Sequence, residues 1–243
     1  VASAIFIGGP GAVFWMWVMA FLGAATAFVE STLAQLYKKH GEDAFYGGPA
    51  YYMLMGLHRR WMAVLFAVLI TVTFAIANQI VQSNTICDAL SDTSTFIAAG
   101  SFEITKFHVS IVLTIFTMLI VFGGTQRISR FSSIVVPIMA VGYILLTIWI
   151  LLTNFMAIPS VFLLIVKSAF GFDQAVGGMF GVAVLQGVKR GLFSNEAGEG
   201  SAPNAAAIAD ISHPVKQGLV QILSVFIDTV LVCTATAFMC MWS

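Results

Sequence analysis

Long apolar runs separated by short polar ones dominate the chain. A helix that crosses a bilayer needs about 20 mostly apolar residues. Four runs meet that length, at 11–37, 61–89, about 132–153 and 218–242, and a shorter one at 108–124 lies near the lower limit. Residues 1–7 are apolar and stop at Gly8-Gly9-Pro10, a strong helix breaker, so they read as the outer half of a further helix. This opening run carries no basic flank and does not resemble a signal peptide. The last residues, Phe238 to Ser243, again lie inside an apolar run. The sequence is therefore expected to be an internal stretch of a longer protein.

Between 158 and 210 the pattern changes. Val161 to Phe172 suits an interfacial helix, and Gln174 to Val188 is apolar but short. A polar, glycine-rich stretch from Lys189 to Pro203 follows, and then Asn204 to Ala209 is small and apolar again. Irregular backbone inside a bilayer survives only where protein or a cavity surrounds it. Residues 174–209 thus read either as one interrupted span or as a plain loop between two short helices. An interrupted span is the arrangement by which many secondary transporters build binding sites, with helix ends facing carboxylates and unwound carbonyls taking cations.

Composition settles the class. The chain is 59% hydrophobic and 9% charged, whereas soluble domains carry about 25% charged residues. With a formal net charge of zero nothing points to a nucleic-acid partner. The expected fold class is an all-α membrane protein, covered in part by lipid. Of the Lys and Arg residues, seven (Lys38, Lys39, Arg59, Arg60, Arg127, Arg130, Lys216) fall on one side of the spans and two (Lys106, Lys167) on the other, with Lys189 and Arg190 at unassigned depth. The positive-inside rule then makes loops 38–60 and 125–131 cytoplasmic.

Candidate chemistry lies in three places. In the span 61–89, Phe74 and Asn78 are four apart, Asn78 and Gln82 four apart, and Gln79 and Gln82 three apart, spacings that share a helix face. Uncharged amides there suit a zwitterion, and equally suit hydrogen bonding between helices. The stretch 189–203 supplies Arg190, Gly191, Ser194, Asn195, Glu196, Gly198, Gly200 and Pro203. Ionisable residues within spans come third. Glu30 near a helix end reads best as a snorkelling or loop-pinning carboxylate. Asp228, with Thr229 beside it, lies mid-span, open to cation coordination, proton relay or a structural ion pair. The three cysteines, Cys87, Cys233 and Cys240, are expected to pack as small hydrophobes. There is no zinc-type His spacing, nucleophile elbow or phosphate loop. No enzyme activity and no bound cofactor is expected.

Several of these segments together resemble one family. Gly8-Gly9-Pro10-Gly11-Ala12-Val13-Phe14-Trp15-Met16-Trp17, Arg190-Gly191-Leu192-Phe193-Ser194-Asn195-Glu196-Ala197-Gly198, Gly200-Ser201-Ala202-Pro203, His213-Pro214-Val215-Lys216-Gln217-Gly218 and Phe226-Ile227-Asp228-Thr229 look like the alanine/glycine:cation symporters. Glu199 departs from that pattern, which carries an apolar residue there. The resemblance implies a LeuT-type inverted-repeat bundle, present here from the second half of core helix 1 through core helix 7. It implies a multi-pass protein of the plasma membrane (the bacterial inner membrane), importing alanine or glycine with sodium, or in some members a proton, as coupling ion. In that frame Gln82, Asn78, Phe74 and Gln79, with Ser194, Asn195, Gly198 and Gly200, would meet substrate. Asp228, Thr229 and Glu196 would be ion-related, and Glu30, Arg190, Gly191 and Pro203 structural or gating. The competing class is a non-transporting membrane scaffold or sensor subunit that keeps the fold.

Overall fold

The computed structural model describes residues 1–41, 45–97, 106–170 and 177–242. It is almost wholly helical. Helix α1 (Ala2–Gly8) ends at Gly9, and α2 (Gly11–Leu36) starts directly after Pro10. A two-residue hairpin, β1 (Lys39–His40) with β2 (Phe45–Tyr46), leads to α3 (Pro49–Met55). Helix α4 (Arg60–Val72) passes through a π-helical segment, Thr73–Asn78, into α5 (Gln79–Ile97). Then come α6 (Lys106–Val121), α7 (Gly124–Thr153), a 3-10 turn at Phe155–Ala157 and α8 (Ile158–Ala169). Helix α9 (Gly177–Asn195) and α10 (Ser201–Ile208) follow. Helix α11 (Pro214–Val225) continues through a second π segment, Phe226–Val232, into α12 (Cys233–Trp242).

Among the described residues, four continuous helical stretches are long and apolar enough to cross a membrane: Gly11–Leu36, Arg60–Leu90, Gln126–Thr153 and Pro214–Met241. Large apolar side chains such as Leu69, Ile138, Trp149 and Leu223 are more than half exposed, as surfaces meant for lipid require. Two sequence expectations need correction. Residues 125–131 are not a loop, because α7 already begins at Gly124, and Arg127 and Arg130 lie in its first turns. The break is the Gly123-Gly124 pair, with Gly124 at φ +77°, after which nothing interrupts the helix until Pro137, which it accommodates. The segment 38–60 is likewise not plain loop, since Pro49 at the first helical position starts α3.

The residues divide into two compact units, Val1–Ala67 with Ile144–Ser243, and Val68–Tyr143. In the first, α2 is the hub. Its buried residues include Val13, Met16, Ala20, Ala24, Ala27, Ser31 and Ala34, spaced three and four apart, which is one stripe of a helix. Helix α9 runs parallel to it. A Cβ at Gly187 would lie 2.5 Å from the Ala12 carbonyl oxygen, and one at Gly191 would lie 2.6 Å from Met19 Cβ. Helices α11 and α12 run antiparallel to α2. Gly218 abuts Phe28 and Thr32, the Phe226 and Phe21 rings stand 5.2 Å apart, and Trp17 Nε1 donates to Thr234 Oγ1 at 2.7 Å. Two clusters fill the seams, one of Ala20, Ala24, Ala27, Ala197 and Val225, the other of Val13, Val161, Ile165 and Ala237. Helix α8, expected at the interface, contributes Val161 and Ile165 to the second and is thus partly core.

Small residues let apolar helices approach where lipid gives them no hydrophobic drive to associate. Gly187→Ala is therefore expected to lower the melting temperature of the detergent-solubilised protein, through an overpacking cost of about 1–3 kcal/mol against backbone that cannot move aside. Gly181→Ala, on the same helix but with nothing within 4 Å of the added Cβ, is the control and is expected to leave it unchanged or raise it. Equal melting temperatures for the two variants, read by fluorescence-detected gel filtration after heating, would contradict this packing.

Candidate functional site

The residues of 174–209 that are described form two helices with a break at Glu196–Gly200; Gln174 to Val176 lie outside the described residues. Three residues of the break have positive φ, Glu196 at 49°, Gly198 at 88° and Gly200 at 82°. Glycine reaches that region freely, whereas Glu196 needs outside support. Its carboxylate accepts from the Ser201 hydroxyl, and Glu199 N–H donates to its carbonyl at 3.1 Å. Asn195, buried, bridges two elements: Nδ2 donates to the Met19 carbonyl of α2 at 3.3 Å, and Oδ1 accepts from Ala197 N–H at 3.0 Å. Glu30 Oε2 accepts the Gly198 N–H at 3.2 Å, tying α2 to the break. Tyr52 of α3 also lies near Glu30. Burial pushes its phenol up to about 12, with the Glu30 carboxylate adding to the effect, so it stays protonated.

Helix α10 is held at both ends. Asn204 Nδ2 donates to the Gly200 carbonyl at 3.0 Å, and Pro203 is buried. At the far end Gln35 Nε2 donates to the carbonyls of Ala206 and, at 2.9 Å, Ala209, which also accepts from Lys38 Nζ at 2.9 Å. These two α2-end residues satisfy carbonyls that a helix C-terminus leaves orphaned. The sequence offered Lys38 only as one of the charges that mark a side of the membrane, and Gln35 not at all.

In the last turn of α9, just before the break, polar side chains converge on Ser194. Its Oγ donates to Asp228 Oδ2 at 2.5 Å, receives Thr229 Oγ1 at 3.3 Å, and stands 3.2 Å from Cys233 Sγ. Thr229 is fully buried and Asp228 half-buried. The π segment Phe226–Val232 explains how Asp228 and Cys233 reach one side chain. Residues five apart diverge on an α-helix, whereas i→i+5 hydrogen bonding stacks them. Cys233 is thus not simply an apolar filler. Its sulfur faces the polar cluster, a role that a 3.6-residue period hides. Arg190, one turn before Ser194, is half-buried; its Nε is buried without a hydrogen-bond partner, and its guanidinium carbon lies 5.2 Å from the Phe193 ring.

The second unit carries the amides, in and just after the first π segment, Thr73–Asn78. Gln79 lines a groove of about 690 Å³ between α5 and α6, with Ile76, Ile80, Ser83, Asn84 and Lys106. Phe74, Asn78 and Gln82 do not line it. Phe74 and Asn78 are half-buried and Gln79 and Gln82 exposed. Phe74 and Asn78 are thus the half-buried positions of the π segment, and Gln79 and Gln82 lie one turn apart at the start of α5. Lys106, one of the groove's lining residues, is ion-paired with Asp88.

The whole chain, residues 1–243, matches the profile of the Sodium:alanine symporter family. It is 53% identical over 238 residues to the amino-acid carrier protein AlsT of Bacillus subtilis, covering 98% of this chain and 50% of AlsT. It is 50% identical over 243 residues to the probable sodium/glutamine symporter GlnT of the same organism, covering 100% of this chain and 49% of GlnT. Identity to the sodium/proton-dependent alanine carrier protein of Bacillus sp. PS3 is 43% over 242 residues, covering 100% of this chain and 52% of that protein. The chain spans about half the length of the curated relatives it matches. The family is one of transporters, not enzymes. On its helical architecture, its apolar spans and these likenesses, the chain belongs to the sodium:alanine symporter family.

Proposed function

We propose that this chain supplies the ion-coupling half of a sodium-coupled importer of a small neutral amino acid, alanine or glycine, working by alternating access in the bacterial inner membrane with loop 38–60 cytoplasmic. The observation that carries the reading is the Ser194–Asp228–Thr229 cluster, set where the broken helix meets the π segment. A carboxylate and two hydroxyls are hard oxygen donors of the kind that suits an alkali cation. The carboxylate stands mid-span, where an unneeded charge would be costly. The break beside it offers backbone that can rearrange, held by Glu30 and Asn195. Ser194, Asn195, Gly198 and Gly200 would contact the substrate, and Glu196 would keep the break open. Within the second unit, Asn78, Gln79, Gln82 and Phe74 are the residues whose amides and ring suit a zwitterion. The LeuT-type inverted repeat and a proton in place of sodium belong to the same proposal. GlnT and the PS3 carrier are named for glutamine and alanine respectively, so glutamine is the competitor to include in assays.

Asp228→Asn in the whole carrier is expected to raise the sodium concentration for half-maximal alanine uptake about tenfold to a hundredfold, the scale of a lost charge-assisted contact. Ser194→Ala is expected to shift it less. Unaltered sodium dependence of Asp228→Asn in proteoliposomes would remove Asp228 from the ion site. Gln82→Ala is expected to weaken alanine uptake, raising the KM, while the melting temperature stays within about 2 °C of the parent, as for an exposed substitution. Unchanged uptake kinetics would sink the assignment of Gln82. A scaffold or sensor protein would show no sodium-dependent uptake at all.

A further inference from the structure

Arg190 has no explanation in the packing. Gly191 beside it abuts Met16 and Met19 of α2, which places Arg190 about 12 Å along that span at 1.5 Å per residue. An arginine inside a span is expensive and is normally paired or facing a cavity. Here its Nε is buried and makes no hydrogen bond, and among the described residues it makes no ion pair. Its guanidinium instead lies 5.2 Å from the Phe193 ring, a cation–π station. Arg190 precedes Ser194 by one helical turn, so the two share a face, with Cβ atoms about 5–6 Å apart. Ser194 is the residue that holds Asp228. Cys233, in contact with Ser194, lies within the electrostatic reach of both Arg190 and Asp228. The Arg190 cation and the Asp228 carboxylate therefore share two neighbours, the Ser194 turn of α9 and Cys233.

Resting on the reading of Asp228 as the cation site, we infer that Arg190 is the internal stand-in for the transported cation. It alternates between the Phe193 ring when a cation occupies Asp228 and the Asp228 carboxylate when the site is empty. The need follows from charge. An importer must return its empty site across the membrane, and a bare carboxylate mid-span makes that step costly. Pairing with Arg190 neutralises the carboxylate for the return. An arriving cation competes for the same oxygens, and the ring takes the released guanidinium. Ser194 is the pivot, because its hydroxyl bonds Asp228 in the ring-bound state. Arg190 touches neither substrate nor ion and acts only through Asp228, so it is a positioning residue for coupling.

The test separates two modes of transport by the whole carrier in proteoliposomes. Net uptake requires the empty carrier to return, whereas exchange of internal for external alanine at saturating sodium uses only loaded carriers. Arg190→Gln is expected to reduce net uptake about tenfold or more, a lower bound set by an uncompensated mid-membrane charge. Exchange should stay within about twofold of the parent, since the loaded states keep their charge balance. Arg190→Lys, which keeps the charge, is expected to restore net uptake to within about threefold. Gel filtration of each variant checks that it folds. Net uptake and exchange falling in parallel, or net uptake unaffected, overturns the inference while leaving the cation site standing. A parent carrier without sodium-dependent uptake overturns the reading of Asp228, and the stand-in with it.

Discussion

Close approach to α2 is the constraint on which the first unit depends. Between lipid-embedded helices the hydrophobic effect gives little, and contact area between backbones must supply the attraction. Helix α2 meets this with a stripe of alanine and glycine, and α9 answers with Gly187 and Gly191. Neither glycine has room for a Cβ. The parallel register that follows brings Asn195 onto Gly23, Gly198 to Glu30 and Ala206 to Gln35. The antiparallel register of α11 and α12 on the same helix sets the Phe226–Val232 segment level with Phe21. The polar cluster lies where these two registers meet, so its position is a consequence of the packing stripe.

A break in a membrane helix persists only if its backbone groups find partners inside the protein. Glu30 takes the Gly198 N–H, Asn195 takes that of Ala197, Asn204 covers the Gly200 carbonyl, and Gln35 with Lys38 covers the end of α10. Each partner is a side chain on α2, on its extension, or on the broken helix itself. The break is therefore bonded through groups that can exchange partners, unlike an α-helical ladder. This makes residues 196–200 a natural place for rearrangement without exposing backbone to lipid.

The spans were legible because about 20 apolar residues in a row have one physical meaning in a chain this poor in charge. The break at Gly8–Pro10 was legible for a similar reason, since glycine and proline act locally, whereas the interruption expected over Lys189–Pro203 is confined to Glu196–Gly200, with α9 helical through Asn195. Misplacing 125–131 came from treating Arg127 and Arg130 as marks of a loop, although arginine is a good helix former and only Gly123-Gly124 breaks the chain there. The π segments were not legible. A period of 3.6 leaves Cys233 off the Asp228 face, whereas the π segment brings both to Ser194. Gln35 and Lys38 escaped notice because their partners are main-chain carbonyls about 170 residues away, which leave no side-chain signature.

On the proposed reading, the modest size of the ion cluster is itself functional. Among the described residues no three His, Cys, Asp or Glu side chains come together as a metal cage would need. A single carboxylate with two hydroxyls binds a hard cation less tightly than the charge-rich sites that hold calcium. A resident metal would be poorly served by such a set, whereas a cargo ion must leave in every cycle. The π turn suits the same requirement. It gathers Asp228 and Cys233 around Ser194 at the cost of regular hydrogen bonding, and a segment already off its α-helical minimum needs less energy to regroup when the ion departs. On that reading, one feature would serve both binding strength and release, the π-helical geometry at 226–232 against the end of α9.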